Sequence, residues 1–190
     1  VTKHPLSSHE HTLQKYATAT TADLKRYSDG TDVTLGGMIS KIRTVITKNG
    51  RNAGSKMGIV TLEDLRGSVE VVLFPRDLER YQAQLKLETI AFFRGQVDRR
   101  REEPSLRVSE VIPLEQADEV LSTAVVLRIN CNGARSASEG QSGNIDATLK
   151  QVREVVKQFN GPKPLYLELW TEGKLRVTIR TSRPGIIIGR

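Results

Sequence analysis

Lys41, Arg43, Lys48, Arg51 and Lys56 fall within sixteen consecutive residues that contain no aspartate or glutamate, and Arg99-Arg100-Arg101 forms a second basic run further along. Cations grouped in this way displace condensed counterions when they meet phosphates, so the chemistry they offer is electrostatic binding of a polyanion. A charge run alone is equally well the solvated face of a loop; the binding reading requires both runs to border one surface. Phe92 and Phe93 are adjacent, and in a strand they point to opposite faces. One enters a core, and the other either packs under a helix or meets a nucleic-acid base, so Phe92 joins the basic residues as a candidate. Catalysis has less to work with. Acidic residues lie scattered in turns or beside basic ones, and the sequence holds no nucleophile–base pair, phosphate-cradling glycine loop or paired acid set. His4, His9 and His11 lie near Glu10 in a polar stretch, where solvated histidines are expected rather than metal ligands. No catalytic residue, metal site or cofactor is expected in these residues.

The composition agrees with a phosphate-seeking surface. The chain carries a formal net charge of +7. Aromatic residues make up only 5% of it, which favours charge over base stacking as the source of any grip. Cys131 is the single cysteine, so neither an internal disulfide nor a cysteine zinc cluster can form. No apolar run approaches the ~18–20 residues that span a bilayer, and no signal segment opens the sequence. A cytoplasmic protein without a membrane partner is therefore expected. Beginning at Val1 and ending in "IIIGR", it reads as a piece of something longer.

The elements that would position these residues follow from periodicity. Residues 1–30 read as a polar lead-in arm with short helices at His9 to Ala17 and Thr21 to Tyr27, the second capped by Thr20 or Thr21. From Val33 the period becomes two. "VTLGGMISKIRTVITKNG" alternates, then slips phase near Gly36-Gly37, as a bulge in a long bent strand would. "MGIVTLED" and "GSVEVVLF" form a hairpin that sends Val60, Leu62, Val69, Val71 and Leu73 inward and leaves Glu63, Asp64 and Glu70 at a wet edge. Its acidic turn would repel phosphates, so the grip must come from the flanking loops. Pro75 starts a helix with Leu78, Tyr81 and Leu85 on one face, and two further strands follow. Three meandering strands, a helix and a hairpin are the order of a five-stranded OB-fold barrel, filling residues 31–115. In that fold the first-to-second and fourth-to-fifth loops flank one groove, which brings the two basic runs together.

Residues 116–143 read as a connector and a flexible glycine- and serine-rich linker, and 144–190 as a small α+β domain with the look of a truncated one. Its helix carries Ile145, Leu149, Val152, Val156 and Phe159 on one face, between strands "AVVLRINC", "PLYLELW" and "KLRVTIRT". The fold class is thus mainly β with α.

Several of these stretches, in this order, resemble one family. "HPL", "VTLGGMISKIRTVITKNG", "KMGIVTLEDLRGSVEVVLFP" and "IAFFRGQVDRRREE" are similar in sequence and spacing to the C-terminal region of the bacterial DNA polymerase III alpha subunit, over residues 3–115. The resemblance implies an OB module that engages single-stranded DNA template through Lys48, Arg51, Arg99, Arg100 and Arg101. It also implies a tail that docks other replisome subunits, a sliding clamp or a clamp-loader component. The family's catalytic aspartates lie upstream of this region, so a DNA-directed DNA polymerase (nucleotidyltransferase) activity would belong to the parent chain. "QADEVL", Gln116 to Leu121, faintly resembles a clamp-binding peptide but reads better as a connector turn. "RPGIIIGR" resembles the approach to the glycine loop of KH-type ribosomal proteins. Two alternatives stand beside the polymerase reading: the anticodon-binding OB domain of an aspartyl- or lysyl-type tRNA synthetase, with its similar "GGMISKIR" strand, and a protein-interaction module of the replisome without direct DNA contact.

Overall fold

A computed structural model describes residues 5–47, 54–131, 145–158, 160–170 and 176–180. The linker at 132–143, the "RPGIIIGR" end, His4, Lys48 and Arg51 lie outside the described residues. The chain divides into two compact units, Val1–Val120 and Leu121–Arg190.

In the first unit, alternation of apolar residues builds the strands. β1 (Asp32–Ile46) buries Val33, Leu35 and Ile39 and pairs antiparallel with β2 (Lys56–Asp64). The register shifts between Ile39 and Lys41, so the extra residue is Ser40, three positions beyond the expected glycine pair, and Ile42 turns to the inner phase opposite Val60. Gly37 serves a different purpose, because a Cβ on it would lie 2.3 Å from the Glu63 carbonyl oxygen and only glycine admits that approach of β2. β2 turns at Leu65-Arg66 into β3 (Gly67–Leu73), with Val60, Leu62, Val71 and Leu73 buried as the pattern predicts. α1 and α2 are Glu10–Tyr16 and Pro75–Tyr81; β4 (Ile90–Asp98) and β5 (Ser105–Pro113) complete a closed barrel in the order β1-β2-β3-β5-β4. This is the expected OB-fold, closed by a short parallel contact of Val71 and Val72 with Leu106 and Arg107.

The first thirty residues depart from the polar arm expected of them. Leu6 and Leu24 are fully buried, Leu13 nearly so, and Leu24 joins the barrel's own core. Thr21 donates from its backbone N–H and its Oγ1 to the Asp64 carboxylate, at 2.7 Å each, and Arg66 and Gly67 donate their N–H groups to the same side chain. Asp64 therefore ties the arm to the hairpin turn rather than standing free at an edge. Nor do Thr20 and Thr21 cap the helical turn Ala22–Arg26 with their side chains; Thr20 donates to Asp23 instead, from Oγ1 at 2.6 Å. α3 (Ala117–Leu121) occupies the "QADEVL" stretch, with Ala117 buried and Asp118 accepting from Lys15 Nζ at 2.9 Å and from the Tyr16 hydroxyl.

The second unit has the expected β-α-β-β order with one short extra strand after the helix. β6 (Val125–Asn130) runs parallel to β8 (Leu165–Trp170), which pairs antiparallel with β9 (Arg176–Arg180); α4 (Ile145–Gln158) and the short β7 (Asn160–Lys163) lie between β6 and β8 in sequence. Leu149, Val152 and Val156 are the less exposed positions along α4, on the predicted face. Among the described residues no helix is long and apolar enough to cross a membrane.

Candidate nucleic-acid interface

Strand register decides which residues share a surface. Lys41, Thr61 and Glu70 stand opposite one another across β1, β2 and β3, and Arg43, Ile59, Val72, Arg107 and Gln96 form the next row, one residue from each of the five strands. Directly opposed residues, and residues two apart on a strand, project from the same face, so both rows lie on the outside of the barrel. Arg43 reaches from β1 over β2 to the Glu70 carboxylate on β3. Arg101, from the β4–β5 connection, brings its Nη1 to 3.8 Å from the other Glu70 oxygen. The first strand and the fourth-to-fifth loop, distant in sequence, thus meet over the β2–β3 hairpin. Arg43 and Arg101 remain 47% and 69% exposed, which leaves both guanidiniums open to a ligand.

The other arginines of that loop are engaged elsewhere. Arg99 donates its backbone N–H to Asp29 at 2.8 Å and its Nη1 to the Tyr27 carbonyl at 3.2 Å, so it faces the arm. Arg100 grips Asp98 through its Nε at 2.9 and 3.0 Å and through a terminal nitrogen, and this pairing holds the Asp98 carboxyl down to about 2. Lys41 is exposed in the row beside Arg43, whereas Lys56, also exposed, is paired with Ile46 on the opposite phase of β1.

Phe92 is corrected outright. Its side chain is fully buried, edge-on to Tyr16 with centroids 6.0 Å apart, and so close over Gly36 that a Cβ there would stand 2.7 Å from the ring. Phe93 fills the barrel core, so both rings are enclosed and Phe92 offers no face for stacking. Alternation along the strand places the two rings on opposite sides correctly; it carries no sign of α1 covering the outer one. Sequence reasoning also missed Glu70 as the meeting point and Arg107 as a neighbour in the Arg43 row. The register of β1 on β2 and of β3 on β5 was the signal needed, and it depends on the bulge at Ser40.

Comparison with known proteins agrees with the barrel. The profile of the OB-fold nucleic acid binding domain family matches residues 33–114. The DNA polymerase III subunit alpha of Halalkalibacterium halodurans is 30% identical over 168 residues, covering 86% of this chain and 13% of its own length. That of Saccharopolyspora erythraea is 28% identical over 177 residues, 89% of this chain and 14% of its own. The chain belongs to the OB-domain region of the DNA polymerase III alpha subunit family. It spans about an eighth to a seventh of the length of those curated relatives. Among solved structures, asparaginyl-tRNA synthetase from Pyrococcus horikoshii overlaps 50% of this chain and 22% of its own at 19% identity, with a TM-score of 0.40, too slight to bear on function. Within the polymerase family region, then, the barrel is a nucleic-acid-binding domain, and Arg43 and Arg101 border one outer face of it.

Proposed function

We propose that this chain is the single-stranded-DNA-binding OB module of a replicative DNA polymerase, holding template while the rest of the parent chain carries out nucleotidyl transfer. The observation that carries the reading is the meeting of Arg43 and Arg101 over the β2–β3 face. Two exposed guanidiniums on opposite borders of one face neutralise successive phosphates of a strand laid across it. Between them the partly exposed Thr61 and Val72 supply a floor that carries no charge, which suits a sequence-tolerant grip. Lys41 extends the positive border along β1, and Lys48 and Arg51 are assigned to the same border by the family resemblance. The relatives' shared name supports the polymerase context over the anticodon-binding one. Docking of replisome subunits, a sliding clamp or a clamp-loader component, is assigned to the second unit, where Val126, Trp170, Val177 and Ile179 are exposed.

The test is a titration of the chain with a fluorescent single-stranded oligonucleotide at two ionic strengths. With ~0.7 in log–log slope per phosphate contact, three contacts from Lys41, Arg43 and Arg101 predict a roughly twentyfold loss of affinity between ~50 and ~200 mM salt. The R43A/R101A variant should bind more weakly and lose about 1.4 of that slope. A salt response unchanged by the double substitution would reject the groove.

A further inference from the structure

Glu70 is an odd residue to find at the centre of a phosphate-binding surface. It stands on β3 in the row of Lys41 and Thr61, half-exposed, and each of its two carboxylate oxygens faces a different guanidinium: Oε1 that of Arg43, Oε2 that of Arg101. A carboxylate and a phosphodiester present the same thing to an arginine, a delocalised anion with two accepting oxygens. Arg43 comes from one border of the face and Arg101 from the other, and this one carboxylate bridges them.

We propose that in the free protein the Glu70 carboxylate holds Arg43 and Arg101 in place of backbone phosphates, and that successive phosphates of the bound strand displace it, one to each guanidinium. This rests on the groove reading given above and adds a built-in competitor to it. The arginines are held at the positions a strand needs, and their charge is masked until a polyanion arrives. Each ion pair here is partly solvated and so exchanges readily, which lets a strand carrying many phosphates outcompete one fixed carboxylate. The consequence is discrimination: a short or weakly charged anion cannot evict Glu70, while a polyphosphate backbone can.

The test uses the full chain and four forms: the natural sequence, Glu70→Gln, R43A/R101A, and all three substitutions together. Glu70→Gln keeps the shape and removes the charge. It should tighten binding of a labelled single-stranded oligonucleotide about three- to tenfold at low salt and leave the salt slope within ~0.3, because the same phosphates are bound and only the cost of evicting the carboxylate is removed. In the R43A/R101A background the same change should do less than twofold. An equal gain in both backgrounds overturns the proposal, since Glu70 would then be a general repellent and not an occupant of the arginine site. If Glu70→Gln alters nothing while R43A/R101A weakens binding, the competitor falls and the groove stands; if neither changes binding, the groove falls with it. Thermal melting of each form confirms that the barrel remains folded.

Discussion

Asp98 and Arg100 close the end of β4 as it enters the β4–β5 connection, and their pairing shows how one run of three arginines divides its work. Arg100 also donates its backbone N–H to Asp98 at 3.0 Å, so the carboxylate shapes the turn as well as holding the side chain. Its carboxyl lies at about 2 in the folded protein against 3.8 in an unfolded chain, chiefly through the Arg100 side-chain bonds. A depressed folded value means that the stabilisation is complete above pH ~4 and drains away as pH falls toward ~2. With Arg100 70% exposed, screening reduces its worth to about 1 kcal/mol. Asp98→Asn should therefore lower the melting temperature by about 3–5 °C at pH 7 and flatten its decline between pH 4 and 2. Arg100→Ala should share that loss of stability while leaving oligonucleotide affinity within twofold, and Arg101→Ala should do the reverse. Equal weakening of binding by Arg100→Ala and Arg101→Ala would show that the loop acts as one charge cloud. The bare sequence offered three equivalent arginines; Arg100 finds Asp98 within its own turn, whereas Asp29 and Tyr27 for Arg99, and Glu70 for Arg101, come within reach only once the arm and the barrel are assembled.

At the scale of elements, the arm before β1 is the part whose role changes most on folding. Leu6, Leu13 and Leu24 follow no helical or strand period, so each looked like an isolated apolar residue in polar surroundings. Their burial comes from the barrel surface they meet: Leu13 lies close to where a Cβ on Gly36 would stand, at 2.8 Å, and Leu24 packs into the core cluster. Leu24→Ala should thus cost about 2–4 kcal/mol in urea unfolding, as for a core leucine, whereas Leu65→Ala, at a 43% exposed turn position, should cost under ~0.5 kcal/mol. Similar small losses for both would mean that the arm is a detachable lead-in after all. The strands were legible because alternation is a local signal, and the barrel order followed from their number and spacing. The arm, the position of the bulge and the enclosure of Phe92 were not, since each depends on which distant surface comes to lie against the residue.

For the whole molecule, the net charge of +7 has an uneven address. Residues 1–120 hold eighteen Lys and Arg against seventeen Asp and Glu, while residues 121–190 hold eleven against five. The barrel that carries the groove is therefore almost neutral overall, and its affinity must come from the local arrangement of Arg43, Arg101 and Lys41 rather than from a surplus. Most of the long-range attraction for a polyanion arises instead from the second unit. Long-range attraction acts on the rate of encounter, and ionic strength screens it over about 10 Å at 0.1 M. A chain ending after Ser122 carries a net charge of only +1 and keeps the whole groove. Stopped-flow association with a single-stranded oligonucleotide should be slowed about three- to tenfold in that truncated form at ~20 mM ionic strength, and the two forms should converge near ~0.5 M. Dissociation should stay within twofold, because the contacts broken on release are those of the groove. A dissociation rate that rises as much as association falls would instead place direct strand contacts on the second unit, and the division between a gripping barrel and an attracting tail would be wrong.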